Sequence, residues 1–344
     1  MSVPSKMGLL AMDLESMTVV ELKDVLRSLN LTTEGNKAEL IVRVEMMALH
    51  MPESVFQYND IKGLDPLINW AKMTGRLFSR EAVAFGFPRF PVGVLLTGIP
   101  GCGKSMIAKA IANEWGMGFR RVNPDDLVGS CVGDNESFMR DLVNDLTAEA
   151  PVVCFIDEAE KILGQTRAGT QYRAAEAARD SAESILLQFM EDDNSGVFFI
   201  FTANDYDKMS PALLDRFHGR FFIDLPSRSA RKDIIISMIE IRQRNPSEYD
   251  IDRLAEISDG FSGRDIRTAI DEAMKLAFFE DARTLVDSDL VEAFSQAVPT
   301  SEIHKILIEE MRETVSQGKI RLANSQELEV GLLVAKGGEY IGWV

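Results

Sequence analysis

At 344 residues the chain is too long for one small core and suits two or three compact units. Hydrophobic residues make up 46 %, ordinary for a globular protein, and no apolar run approaches the length of a membrane span. The formal net charge of −17 argues against a broad nucleic-acid-coating surface, and three scattered cysteines in no metal spacing suit a reducing, cytoplasmic compartment.

Residues 1–12 read as a disordered start without the basic leader of a secretory signal. Residues 13–48 read as two short helices around a turn. Thr18 with Glu21 three residues on is a capping-box pattern, and Val19, Leu22, Val25, Leu26 and Leu29 fall on one face. Leu31 to Lys37 is the turn, and Ala38 to Met47 the second helix. This stretch resembles the SAP module, a small helix–turn–helix unit often found binding DNA. The resemblance lies in Leu22, Leu26, Leu31-Thr32-Thr33, Gly35, Lys37, Leu40 and Arg43. It implies phosphate contacts at Gly35, Asn36 and Lys37, with duplex DNA as the partner. Against that, four basic residues (Lys23, Arg27, Lys37, Arg43) face seven acids in the module. An acidic module is a poor duplex binder unless its basic residues cluster. DNA binding, protein docking and a structural role all stay open. Residues 49–58 read as a linker, with Pro52 stopping the preceding helix.

Residues 59–226 read as an α/β domain. A helix runs to about Phe85. The short apolar run Val92 to Thr97 then leads into Gly98-Ile99-Pro100-Gly101-Cys102-Gly103-Lys104-Ser105, followed by the helix former Met106 to Ala112. Strand, glycine loop and helix are the context a P-loop requires. Glycines let backbone N–H groups face phosphate oxygens, and the helix N-terminus adds partial positive charge. Lys104 is expected to reach the β- and γ-phosphates of ATP, and the Ser105 hydroxyl to ligate Mg²⁺. Phe119 to Val122 is a second strand, and Glu136 to Ala148 a helix. Val152 to Ile156 is a buried strand ending in Asp157-Glu158. That pair reads as Walker B: Asp157 holds Mg²⁺ with Ser105, and Glu158 orients or deprotonates the attacking water. Val197 to Phe201 is a further buried strand, with Asn204 just past its end and able to position that water. Strands alternating with helices imply a parallel sheet, with ligands outside the carboxyl ends of its strands. Residues 227–299 read as a helical lid built of Ser229 to Arg244, Ile251 to Ile257, Gly263 to Phe279 and Ser288 to Ala297. Within 300–344, residues 300–317 form one amphipathic helix, and the tail from Val330 has no assignment.

The order Gly98–Ser105, Val152–Glu158, Thr202-Ala203-Asn204, Ala212 to Phe221 and Gly260-Phe261-Ser262-Gly263 resembles the AAA ATPases of the AAA+ class, from about Tyr58 to Ala297. Ile61 to Asp65, Ser79 to Ala82, Phe85 to Pro88 and Asn113 to Gly116 are similar to a subgroup known from cyanobacteria and algal plastid genomes. The resemblance implies a P-loop α/β fold of three layers with a helical lid. It implies ATP hydrolysis in a ring oligomer, a hexamer as a rule, that remodels a protein or protein–DNA target. Asn204 matches sensor 1. Arg220 and, with altered spacing, Arg216 match arginine fingers that enter a neighbour's site. Ile61 and Gly63 match the loop on adenine, and Arg264 sits where a sensor 2 arginine contacts the γ-phosphate. Cys131 stands where remodellers place a pore aromatic, which leaves a slow, DNA-associated scaffold or switch as the alternative reading.

Overall fold

The computed structural model describes residues 14, 16–28, 33, 35–50, 56–122, 134–163, 173–191 and 196–325. The expectations for Leu29, for Leu31 and Thr32 of the turn, for Cys131 and for the tail from Val330 lie outside these residues. The chain divides into two units, residues 1–56 and 57–344.

The first unit holds α1 (Val19–Ser28) and α2 (Lys37–His50). The Thr18 N–H donates to the Glu21 carboxylate at 2.7 Å and the Glu21 N–H to the Thr18 hydroxyl at 3.3 Å, so the expected capping box forms. Asn36 and Glu39 repeat the exchange at the start of α2, at 3.1 and 3.0 Å. Leu22, Leu26, Leu40, Ile41 and Val44 are buried together with Leu14. Val19 is not part of this face; it is exposed.

In the second unit a parallel sheet runs in the order β2-β3-β4-β1-β5-β6. Its strands are β1 (Gly93–Gly98), β2 (Gly118–Val122), β3 (Val152–Ile156), β4 (Val197–Ala203), β5 (Gly219–Ile223) and β6 (Arg321–Leu322). Every residue of β3 and β4 is buried, as both faces of such a sheet require. Leu95 and Ile156 both pair with Phe201. The carboxyl ends of β1, β3 and β4 therefore point the same way within three residues of one another, and the residues just past them share one rim.

The helix expected up to Phe85 is two, α3 (Asp65–Gly75) and α4 (Arg80–Phe85), because Ser79 caps a new start by accepting the Ala82 N–H at 3.2 Å. Next come α5 (Lys104–Glu114), α6 (Asp134–Glu149), α7 (Ala159–Leu163), α8 (Arg173–Glu191) and α9 (Pro211–Leu214). The sequence pattern left α8 unassigned. Trp115 meets Phe198 of β4 edge-on at 4.7 Å between centroids and Phe78 at 5.4 Å, which ties the end of α5 to the sheet.

The lid is α10 (Arg228–Ile241), α11 (Ile251–Ile257), α12 (Gly263–Phe279) and α13 (Asp287–Gln296) around a core that includes Ile235, Leu254, Phe261, Ile270 and Phe294. The helix expected over 300–317 breaks at His304 into α14 (Thr300–Ile303) and α15 (Lys305–Ser316). The chain then returns to the sheet as β6, a strand too short to carry a periodic signal.

Ser262 ties the lid to α14. Its hydroxyl accepts from the Asp265 N–H at 3.3 Å and from the Thr300 hydroxyl at 3.2 Å, and Asp265 accepts the Ser262 N–H at 2.8 Å. Ser262→Ala is expected to cost about 1–2 kcal/mol of lid stability. A thermal melt followed by far-UV circular dichroism checks this; an unchanged midpoint would show the cap is dispensable.

Candidate active site

Gly98, Gly101 and Gly103 all take left-handed φ values, +142°, +85° and +93°. At Gly98 the need is absolute, because a Cβ would lie 2.2 Å from the Ile223 carbonyl oxygen of β5. Gly103 faces open space and sits at the N-cap of α5, so the turn leaves the helix N-terminus accessible. Pro100, Gly101, Cys102, Gly103, Lys104, Ser105 and Met106 are all half-buried along this turn. Burial pushes the Cys102 thiol up to about 12, so it stays neutral and adds no negative charge where phosphates would bind. Gly101 touches the lid: its carbonyl accepts the Arg264 N–H at 3.2 Å.

The rim past β1, β3 and β4 gathers four of the expected polar residues. The Lys104 ammonium donates to the Gly98 carbonyl at 2.6 Å, the Ile99 carbonyl at 3.3 Å and the Asn204 side-chain oxygen at 3.4 Å. The Asn204 amide nitrogen donates in turn to Glu158 at 3.4 Å. Asn204 thus bridges the phosphate-loop lysine and the second Walker B acid, and those two contacts fix which way its amide points. Burial lowers the Lys104 pKa; nearby acids oppose that shift and the positive charge of Arg264 adds to it.

Thr202 holds the two Walker B acids in place. Its hydroxyl donates to Asp157 at 2.6 Å and accepts the Glu158 N–H at 2.9 Å. Glu158 has φ +48°, a conformation non-glycine residues rarely adopt and one common at functional sites. Its carboxylate also pairs with Lys161.

Sequence reasoning missed three residues of this rim. Thr202 stood in the Thr202-Ala203-Asn204 pattern with no role of its own. Arg121, at the end of β2, donates to the second Asp157 oxygen at 3.0 Å and lies 5.9 Å from the Phe155 ring centroid. Glu160 accepts the Asn204 N–H at 3.0 Å, and its other oxygen is buried with no hydrogen-bond partner. The signals were present but weak: an arginine closing an edge strand, and an acid two positions past Glu158.

The remaining expected residues sit elsewhere. Ile61 is buried, and Gly63, at φ +74°, packs so closely on the lid that a Cβ would lie 2.5 Å from the Ala230 Cβ. Arg216 follows α9 and pairs with Glu191 at 3.0 Å. Arg220 lies in β5 opposite Leu95, donating to the Tyr206 hydroxyl at 3.2 Å and pairing with Asp215 at 3.5 Å. Neither arginine makes a described hydrogen bond or ion pair with the phosphate loop of its own chain. In the first unit, Gly35, Asn36 and Lys37 do gather at the α2 N-terminus, with the Glu39 carboxylate on the Asn36 N–H. Among the described residues no cluster of His, Cys, Asp and Glu forms a multi-ligand metal cage. Ser105 and Asp157 offer hard oxygens, the donor type that suits Mg²⁺ with phosphate oxygens completing its shell. No described helix is long and apolar enough to cross a membrane.

The family described as "ATPase family associated with various cellular activities (AAA)" matches residues 94–225, and "AAA+ lid domain" matches 248–292. The chain belongs to the AAA ATPases. A SAP domain matches residues 13–46. The uncharacterized AAA domain-containing protein ycf46 of Guillardia theta is 33 % identical over 291 residues, covering 84 % of this chain and 56 % of that protein. Its counterpart in Pyropia yezoensis is 32 % identical over 305 residues, covering 87 % and 59 %. The chain therefore spans little more than half the length of these relatives, which are homologues from algal plastid genomes, as the sequence resemblance implied. The ATP-dependent zinc metalloprotease FtsH of Pirellula staleyi is 33 % identical over 225 residues, covering 64 % of this chain and 32 % of that protein. Among solved structures, the FIGL-1 AAA domain in complex with ADP superposes with a TM-score of 0.63 at 23 % identity, covering 79 % of this chain and 96 % of that one, so it shares the fold.

Glu160 gives the site a pH signature. Burial, the leading cause, raises its pKa, so the folded chain holds this proton more tightly than the unfolded one. Stability from Glu160 is then full below its unfolded pKa and is lost as pH rises through the folded value. Glu160→Gln keeps an acceptor for Asn204 and removes the buried charge. It is expected to melt higher than the parent at pH 7, with the gap closing towards pH 4. A gap independent of pH would contradict this origin.

Proposed function

We propose that this chain hydrolyses ATP with Mg²⁺ and uses the cycle to remodel a protein or protein–DNA target as a ring oligomer, a hexamer. The observation that carries the reading is the continuous contact Lys104–Asn204–Glu158 across three strand ends. A cation for the phosphates, an amide for water and a carboxylate base stand side by side, the groups that hydrolysis of a γ-phosphate would use.

In this reading the α5 N-terminus and loop amides bind the β-phosphate, and Lys104 spans the β- and γ-phosphates. Ser105 and Asp157 would hold Mg²⁺, which would supply charge neutralisation. Glu158 takes the proton of the attacking water and Asn204 holds that water in line. Arg264, anchored to the loop at Gly101, covers the γ-phosphate from the lid. Arg121 occupies an Asp157 oxygen and would help to orient that carboxylate. Ile61 and Gly63 hold the adenine ring. That the FIGL-1 relative was solved with ADP supports nucleotide binding on this fold.

Arg220 and Arg216 act in trans in this proposal. Their contacts run to Tyr206, Asp215 and Glu191. An arginine delivered by a neighbour would make turnover depend on assembly. The SAP domain supports duplex DNA as a partner of the first unit. A phosphate at the α2 N-terminus would have to displace the Glu39 carboxylate that already holds Asn36.

Lys104→Ala is expected to abolish nucleotide binding. Glu158→Gln is expected to bind ATP normally and slow hydrolysis at least about 100-fold, the usual worth of a positioned base. Calorimetry and phosphate release check both; brisk turnover in Glu158→Gln would assign the water to another group.

The wider reading is tested by the ATPase rate against protein concentration, with and without duplex DNA, for the full chain and residues 57–344. A cooperative rise with concentration, lost in Arg220→Ala and Arg216→Ala, is the expected result, with DNA stimulation confined to the full chain. A rate strictly proportional to concentration would count against shared sites.

A further inference from the structure

The segment after the lid reaches back to the nucleotide side of the sheet. Beyond α15, whose Ile308 and Met311 pack on Ile99 and Phe222, the chain runs beside β5 as β6. Its next residues contact two pieces of backbone that the sequence leaves far apart.

Asn324 is buried, and its side chain serves the connection between β5 and the lid. Its oxygen accepts the Asp224 N–H at 2.7 Å, and its nitrogen donates to the carbonyls of Asp224 at 3.1 Å and Leu225 at 3.3 Å. The Asp224 carboxylate is held in two hydrogen bonds by Arg312 of α15, both at 2.9 Å. Asp224 to Pro226 is the segment about which the lid joins the sheet domain.

Ser325 serves the loop before α3. Its N–H donates to the Gly63 carbonyl at 3.0 Å. Its hydroxyl donates to the Asp65 carboxylate and accepts the Asp65 N–H at 3.4 Å. Gly63 in turn rests on Ala230 in the first turn of α10. Two consecutive residues thus fasten the lid connection and the loop Ile61–Gly63 to one another.

We infer that Asn324 and Ser325 are positioning residues for the nucleotide base. They hold the loop and the lid connection in one arrangement before a purine nucleotide arrives. The inference rests on the proposed role of Ile61 and Gly63 in covering the base. Its physical content is pre-organisation: a pocket already fixed loses less conformational freedom on binding. Without Asn324, three half-buried backbone groups of Asp224 and Leu225 lose their partner, and the loop and connection are free to drift apart.

The test is ADP titration calorimetry with amide hydrogen exchange on the full chain, Asn324→Ala and Ser325→Ala. The ADP dissociation constant is expected to rise about 10-fold for Asn324→Ala, which loses three hydrogen bonds, and about 3-fold for Ser325→Ala, which loses the two with Asp65 and keeps the backbone bond to Gly63. Faster exchange should be confined to residues 61–65 and 224–225. In steady-state assays the change should fall on the KM for ATP rather than on kcat. ADP affinity within twofold of the parent in both variants would overturn the inference. So would weaker binding accompanied by faster exchange throughout β1 and β4, which marks general loosening. Ile61→Ala separates the inference from its premise. If that variant binds ADP normally, the base-loop reading has failed and the clasp has no base to position. If Ile61→Ala weakens binding and Asn324→Ala does not, the clasp alone has failed.

Discussion

One buried hydroxyl sets the geometry on which the site depends. Thr202 donates to Asp157 and accepts from the Glu158 N–H, so a single side chain on β4 fixes two consecutive residues at the end of β3. The contact is available because β3 ends at Ile156, opposite Phe201, while β4 runs on, which sets Thr202 beside Asp157 and Glu158. It also accounts for the unusual backbone of Glu158. A left-handed residue persists where its surroundings over-determine it, and here its N–H is claimed by a neighbouring strand. Thr202→Val would keep the shape and remove both bonds.

Around that hydroxyl the sheet acts as a ruler. β1 lies between β4 and β5, so the phosphate loop leaves the centre of the sheet and meets both. On the β5 side, Gly98 packs directly on the Ile223 carbonyl, a contact only glycine permits. On the β4 side, Lys104 reaches Asn204. The lid then closes onto Gly101 through the Arg264 N–H, stiffened by the buried Ser262–Asp265 exchange. Sheet, loop and lid are joined by backbone contacts as much as by side chains, which explains why glycine recurs at the junctions.

Much of this was legible in the sequence, and the reasons differ by element. The buried strands β3 and β4 declared themselves as unbroken apolar runs, and α11 and α12 end where the sequence placed them. The phosphate loop, Asp157, Glu158 and Asn204 are local patterns tied to strand ends, and the structure brings Lys104, Asn204 and Glu158 into one row. What stayed hidden depends on distant pairing. Arg121 reaches Asp157 across 36 positions, and Asn324 reaches Asp224 across 100. β6 has two residues and no period to read. The break at His304 was invisible because the apolar pattern of α15 continues that of the preceding turn.

The two margins of the sheet are unlike. β6 covers the outer side of β5, while β2 pairs only with β3 among the described strands. β2 is also the most exposed of β1 to β5, with Arg120 and Arg121 at its surface. A strand margin with free backbone groups invites a foreign strand, and charged side chains there discourage it. Arg120 bonds to Glu149 and Arg121 to Asp157, so the residues that guard this margin against unwanted pairing are held by acids of the same unit. Neutralising both would therefore expose a sticky edge at the same time as it released Asp157, and a loss of activity in such a variant would need its aggregation state measured before it could be read as chemistry.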